Sequence, residues 1–562
     1  MIQRSLPWIT RDLKVLFRKR DRLHLKAKSS GSPSVWLAYK RLRNKAVSTL
    51  RQAKKCFLNT LSSSVRTPKH FWSLYHSLFP NRHRIPATLS YGNACAESTL
   101  SKCELFNNFF ASVFSKSDPL DENFPPSSPQ SPPILSHITC TEDEVFDLLM
   151  SLPRKTASGP DNISSPILRG TASAISTSLT RLFNSSLSLG QVPAEWKCSN
   201  VVPVFKRGDP KFATNYRPIS LLSLPSKLLE RIIHTRLMNH LLSNNLLSSK
   251  QFSFRPSSST QEALISASSI WHQYLDKRLS VGAIFFDLSK AFDRVPHAKL
   301  LSALRSVGVG GSILAWFSDY LSNRTQQVVL DGCSSSPRKV LSGVPQGSIL
   351  GPLLFIIYMD QLCSVPLSGS AKLQLYADDI LLYKPLKDDR DVCELQSDID
   401  SISNWVHQSG LLLNTSKTQL LIISRLRRRP TIHLTVGGVP IPESSSVKYL
   451  GVTLSRDLSW ALHINNVSQK AKHQAGLIYI YRQFYHTSSA CKAQLYKSLV
   501  LPTLDYCSSL WDPTYVSHVN LLKDVQKLSA KIITKKWDLI HTQNYQHLLS
   551  GLHLPTGERD KS

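Results

Sequence analysis

Residues 373–383 read LQLYADDILLY, and no other stretch limits the possible folds as much. Two mostly apolar runs flank the adjacent carboxylates Asp378 and Asp379, the pattern of strand, turn and strand. Like charges side by side near a core repel and push one pKa upward. A divalent cation removes the conflict, and Mg²⁺ takes carboxylate oxygens readily. Successive side chains on a strand point to opposite faces, so the two aspartates are not equivalent, and Asp378 is expected to face the site. A solvated turn is the competing reading, since Asp favours turns. A third carboxylate on another strand would decide between them.

Residues 281–287 (VGAIFFD) supply it: an apolar run predicts a buried strand, with Asp287 at its exposed end. An N-cap is the other use for a strand-end aspartate that opens a helix. Residues 341–352 read LSGVPQGSILGP, where Gly343, Gly347 and Gly351 let backbone approach a ligand and Gln346 offers both donor and acceptor. Upstream, the expected strand 200–205 (NVVPVF) runs into Lys206 and Arg207, and Arg217 follows in NYRP. Cations so placed suit phosphates, or are charges on a surface loop.

Charge narrows the partner class. The chain has 562 residues with 68 Lys and Arg against 38 Asp and Glu, a net charge of +30. Such an excess attracts polyanions, nucleic acid foremost. Residues 1–60 alone hold 16 Lys and Arg against Asp12 and Asp21. Residues 36–58 read as a helix with a basic face that carries Lys40, Arg41, Arg43, Lys54 and Lys55, for nucleic-acid contact or simple solvation. Phe71-Trp72 closes this module, residues 117–133 are a Pro/Ser-rich linker, and Thr141 with Glu144 forms a capping box that opens the next domain. Ten scattered cysteines without C-x-x-C argue against a zinc site and fit a reducing, intracellular setting, nucleus or cytoplasm. The longest apolar stretch near a candidate span, residues 353–359, is too short to cross a bilayer, so no membrane partner is expected.

Taken in order, FDLSKAFD, SGVPQGSILGP and YADD resemble motifs A, B and C of the reverse transcriptase of non-LTR (LINE-type) retrotransposons, the jockey-like group in particular. Residues 414–418 (NTSKT) look like motif D, and 447–451 (VKYLG) look like the primer-grip hairpin. VVPVFKRGDP, NYRPISLL and QFSFRP look like fingers segments. The resemblance implies an α+β right-hand polymerase with fingers, a palm built on an antiparallel sheet and a helical thumb, behind a basic helical N-terminal extension. The expected division is 1–116 basic and helical, 117–138 linker, 139–460 fingers and palm, and 461–562 thumb and C-terminal region.

The same resemblance implies the roles. Asp287 and Asp378 would bridge two Mg²⁺ ions, or Mn²⁺ in their place, with Asp379 as supporting ligand and the Leu288 carbonyl as another. Lys206 and Arg217 match positions that hold the incoming triphosphate, and Gln346 and Gly347 match positions along the nucleotide and template. Phe292 matches the gate that excludes a 2′-hydroxyl, with core packing as its alternative. Lys417 matches a lysine that protonates pyrophosphate, with a surface lysine as its alternative. Implied partners are template RNA, a DNA primer and deoxynucleoside triphosphates. Ser253 stands where the family often has glycine. The space before Trp36 holds no endonuclease, so a separate one is expected to cut target DNA, and the chain reads as a piece of a larger element protein. The alternative function is a catalytically silent, nucleic-acid-binding remnant; a group II intron maturase or telomerase-like enzyme is a further alternative within polymerases.

Overall fold

The computed structural model describes residues 8–63, 85–115, 132–480 and 488–534. Phe71-Trp72 and most of the Pro/Ser-rich linker lie outside them. The chain divides into two compact units, residues 1–84 with 452–454 and 459–562, and residues 85–451 with 455–458.

In the first unit, α1 (Arg11–Ser30) and α2 (Pro33–Ser63) form a helical hairpin. Thr10 caps α1 by accepting from the Leu13 N–H, and Gly31, with φ +61°, ends it in the left-handed conformation glycine tolerates. Near this turn His24 stacks on Tyr39 at 4.6 Å, and Trp36 meets both edge-on. Helices Ala461–Ile480, Ser489–Leu499 and Val516–Thr534 follow in the same unit. Among the described residues no helix is long and apolar enough to cross a membrane.

The second unit carries two sheets. Its first elements, β1 (Leu89–Tyr91), β2 (Ala94–Ala96) and α3 (Thr99–Ser112), pack on a fingers sheet built from β3 (Cys198–Phe205), β4 (Tyr216–Leu221) and later strands. Phe106 of α3 meets Tyr216 edge-on at 4.9 Å and buries Val201 with it. Helices α4 (Leu224–Ser243) and α5 (Thr260–Asp276) lead to β5 (Ser280–Phe286), buried at every position, as its unbroken apolar run demands. After β6 (Thr325–Leu330), which joins the fingers sheet in parallel with β3, come α6 (Leu350–Asp360), β7 (Lys372–Tyr376), β8 (Asp379–Leu386), α7 (Asp389–Gln408) and β9 (Gln419–Ile423).

Strands β9, β5, β8 and β7 form, in that order, an antiparallel four-stranded sheet. This matches the α+β class and the palm sheet expected from the sequence. Helices cover it: Trp271 of α5 meets Tyr383 edge-on at 5.7 Å, and α7 lies so close that a Cβ on Gly282 would stand 2.9 Å from Leu395. Register now fixes the centre of the molecule's chemistry. The last pair between β5 and β8 is Phe286 with Ile380, so Asp287 and Asp379 each stand one residue beyond it, at the same end of the sheet.

Candidate active site

Three segments converge at that end, each for a local reason. β5 delivers Asp287, whose side chain remains 40% exposed. The turn between β7 and β8 delivers Asp378, half-buried, and Asp379, exposed at the rim. The loop before β9 is sewn to β5 by the Asn414 N–H, which donates to the Asp287 carbonyl at 2.7 Å, and it brings the Lys417 ammonium 3.4 Å from an Asp287 carboxylate oxygen.

A cavity of 680 Å³ opens here, within the roughly 300–1,000 Å³ of ordinary ligand pockets. Asp287, Leu288, Phe292 and Asp378 line it, as do Lys206, Arg217, Gln346, Gly347 and Lys417. Thus every residue expected on catalytic, metal or nucleotide grounds lies on this one surface except Asp379, which stands just outside it. The β3–β4 hairpin explains two of them. Val204 pairs with Arg217, and the Lys206 N–H donates to the Asn215 carbonyl, which sets both cations at the cavity's edge.

The electrostatics follow from crowding. Burial raises the Asp378 pKa, and the Asp287 charge adds to it, while Arg217 and Lys206 oppose it. Asp379 reaches solvent but is closely surrounded; lost hydration first, then Asp378 and Asp287, push it up to about 6. Lys206 is lowered, by burial first and then by Arg217 and other nearby cations. Negative and positive charges are each packed more tightly than they would choose, which is characteristic of sites built for a charged ligand.

The glycine-rich loop is fixed by backbone. Gly347 has φ +124°, and a Cβ there would stand 2.4 Å from the Ser220 carbonyl oxygen, so only glycine fits. The Gln346 carbonyl accepts from the Ser220 N–H at 2.7 Å. Behind the loop, fully buried Glu230 accepts from the Ile349 and Leu350 N–H groups and anchors the start of α6. Phe292 serves two surfaces at once: it lines the cavity and stacks on Phe355 of α6 at 4.0 Å.

Two residues here were not singled out by sequence. Asp293 is almost fully buried, accepts from the Gln346 amide at 2.7 Å and is pushed up to about 6 by burial. Lys290 adopts a left-handed backbone, φ +51°, lines the cavity and rests its ammonium 5.0 Å above the Phe109 ring. Both sit in FDLSKAFD, but nothing in that string separates a cavity lysine from a spacer.

In the first unit, Lys40, Arg41, Arg43 and Lys55 are exposed on α2. Lys54 differs: it lies 5.3 Å over the Trp8 ring, and burial lowers its pKa.

With this geometry in view, comparison with known proteins gives the family. The family model for reverse transcriptase (RNA-dependent DNA polymerase) matches residues 205–454. Residues 205–454 are a reverse transcriptase domain. The chain is 28% identical over 545 residues to the RNA-directed DNA polymerase from mobile element jockey of Drosophila melanogaster, covering 92% of this chain and 58% of that protein. It is 27% identical over 550 residues to a probable RNA-directed DNA polymerase from transposon BS of the same species, covering 94% and 60%. A putative 115 kDa protein of the retrotransposable element R1DM is 30% identical over 70% of this chain and 38% of its own length. The chain therefore spans no more than about 60% of these relatives. The matched range takes in the β5 carboxylate, the β7–β8 turn, the glycine-rich loop and the Lys417 loop, and every residue that lines the cavity, from Lys206 to Lys417, falls within it.

Reverse transcriptases generally depend on divalent metal. Among the described residues no three His, Cys, Asp or Glu side chains are gathered as a metal-holding group. The donor chemistry nevertheless suits a hard cation: Asp287 and Asp378 offer only oxygen, face one cavity and repel each other. Lys417 now supplies the positive charge at Asp287.

Proposed function

We propose that this chain is an RNA-directed DNA polymerase that extends a DNA primer along an RNA template with deoxynucleoside triphosphates, as part of non-LTR retrotransposition. The observation that carries the proposal is the meeting of Asp287 and Asp378 with Lys206, Arg217 and Lys417 around one nucleotide-sized cavity. Asp287 and Asp378 would hold two Mg²⁺ ions, or Mn²⁺, with Asp379 supporting from the rim and the Leu288 carbonyl as a further ligand. When bound, such ions activate the primer 3′-hydroxyl and offset charge on the phosphates.

The chain's own side chains do the rest. Lys206 and Arg217 grip the triphosphate, since charge-assisted bonds to phosphate are the strong ones. Phe292, backed by Phe355, presents a rigid ring where a 2′-hydroxyl would intrude. Gln346, its amide oriented by Asp293, and Gly347 border the nucleotide and template. Lys417 carries a proton within reach of the departing pyrophosphate, the position a general acid needs. The exposed cations of α2 attract RNA. The ten free thiols support a reaction inside the cell, in nucleus or cytoplasm.

The test is primer extension on an RNA template with and without divalent metal, using the wild type and Asp378→Asn. Metal-dependent synthesis abolished by the substitution supports the proposal. Equal extension by both proteins overturns the site, and no synthesis by the wild type in Mg²⁺ or Mn²⁺ leaves the silent remnant as the reading.

A further inference from the structure

The turn that carries Asp378 is held by a segment distant in sequence, the stretch QFSFRP at residues 251–256. Ala377 has φ +55°, a left-handed conformation that costs a non-glycine residue on the order of 1 kcal/mol and persists only where surroundings impose it. The imposing group is Ser253. The Ala377 N–H donates to Ser253 Oγ at 2.8 Å, with Gln251 Oε1 a weaker second acceptor at 3.4 Å. A backbone N–H can only donate, so Ser253 Oγ must accept there and point its own hydrogen elsewhere. That hydrogen goes to Gln251 Oε1 at 2.8 Å, which also accepts from the Ser253 N–H at 3.0 Å.

The Gln251 amide is consequently fixed in orientation. Its carbonyl oxygen faces three donors, whereas a flipped amide would confront them with its own N–H groups. The opposite end, Nε2, is buried without a partner among the described residues, an unfavourable arrangement the surrounding bonds compel. Both side chains are sealed, Ser253 and Gln251 each at 1% exposure. Their segment cannot drift either: the Phe252 N–H donates to the Leu375 carbonyl at 3.0 Å, and the Leu375 N–H to the Lys250 carbonyl at 2.8 Å. A relay therefore runs from Gln251 through Ser253 to the backbone one residue before Asp378.

We infer that Ser253 is a positioning residue whose hydroxyl locks the left-handed turn and so aims Asp378 into the cavity beside Asp287. Glycine at this position would lack the hydroxyl, so the bond is a property of this chain's own serine. The inference rests on the reading that Asp378 binds divalent metal, but the lock itself does not.

The experiment compares full-length wild type, Ser253→Ala and Ser253→Thr by three measurements: amide hydrogen exchange across residues 376–380, Mn²⁺ affinity by paramagnetic resonance, and thermal unfolding. In Ser253→Ala, exchange at the Ala377 amide should rise at least about tenfold and Mn²⁺ should bind about three- to tenfold more weakly, while Ser253→Thr, which keeps the hydroxyl, should restore both. Unchanged exchange in Ser253→Ala overturns the inference. So does an equal change in the alanine and threonine proteins, which would make side-chain size the cause. Should Ser253→Ala fail to fold, Ser253→Cys, a weak acceptor, must show the same loss of protection or the inference falls. Absence of Mn²⁺ binding in the wild type would count against the polymerase reading alone, because exchange still decides the lock.

Discussion

The cavity and the helical hairpin α1–α2 both concentrate charge, by opposite means. The hairpin's cations come from one continuous stretch and mostly stand in water, as Lys40, Arg41, Arg43 and Lys55 do. The cavity's charges come from segments far apart in sequence, Lys206, Arg217, Asp287, Asp378 and Lys417, pressed together where burial lowers the Lys206 pKa and raises that of Asp378. Charge spread on a surface gives salt-sensitive, additive attraction. Charge gathered in a cavity gives few, large, mutually dependent effects. Substitutions in the two regions should behave accordingly.

The largest effect belongs to the cavity. Asp378→Asn should lower primer extension on the order of 10³-fold, because losing a metal ligand removes several kcal/mol of transition-state stabilisation. Retained activity would dissolve the contrast at once. Lys417→Leu should cost about 100-fold in turnover, the lower range for losing a general acid, while leaving nucleotide KM nearly unchanged. A rise in KM alone would make Lys417 a binding residue. Phe292→Val should let ribonucleotides compete, read as the ratio of kcat/KM for the two sugars; an unchanged ratio would reduce Phe292 to packing against Phe355.

On the hairpin, joint replacement of Lys40, Arg41 and Arg43 by Ala should flatten the log–log salt dependence of RNA binding by about 2, at roughly 0.7 per lost phosphate contact on single strands. Lys54→Ala should leave that slope alone and instead lower stability by about 0.5–1 kcal/mol, since its ammonium is engaged with Trp8. The two outcomes would show that even within the spread-out region one cation has been withdrawn from the surface.

The smallest effect is a pH response of metal-free protein. Asp379 titrates near 6 when folded, above its ordinary carboxylate value, so the folded chain holds the proton more tightly. Stability should then fall as pH rises from about 4 to about 6. Asp379→Asn should weaken that fall and raise the unfolding temperature at pH 7. A flat profile in both proteins would deny the crowding at the rim.

The sequence made much of this visible because the signals were local. Alternation and apolar runs foretold β5 and the β7–β8 turn, and Thr141 caps its helix as expected, its hydroxyl accepting from the Glu144 N–H, while the Glu144 carboxylate pairs with Arg236 rather than closing the box. The hairpin's basic helix was equally plain from residue counts. What escaped notice depends on contacts between distant segments. Ser253 reaches Ala377 across 124 residues, and Lys290 faces the cavity only because its backbone turns left-handed. Asp293 carries no mark of its own in the sequence, and only the fold buries it against Gln346. Short strings carry strand and turn; they carry no information about which hydroxyl will meet which amide.

The hydrogen bond from the Asn414 N–H to the Asp287 carbonyl has one more implication. It couples the loop that carries Lys417, the proposed proton donor, to the strand that carries Asp287, so the two cannot be tuned independently during evolution or by design. Lengthening that loop to reach a different leaving group would drag Asp287 along, and selection on either end of the reaction would be felt at the other.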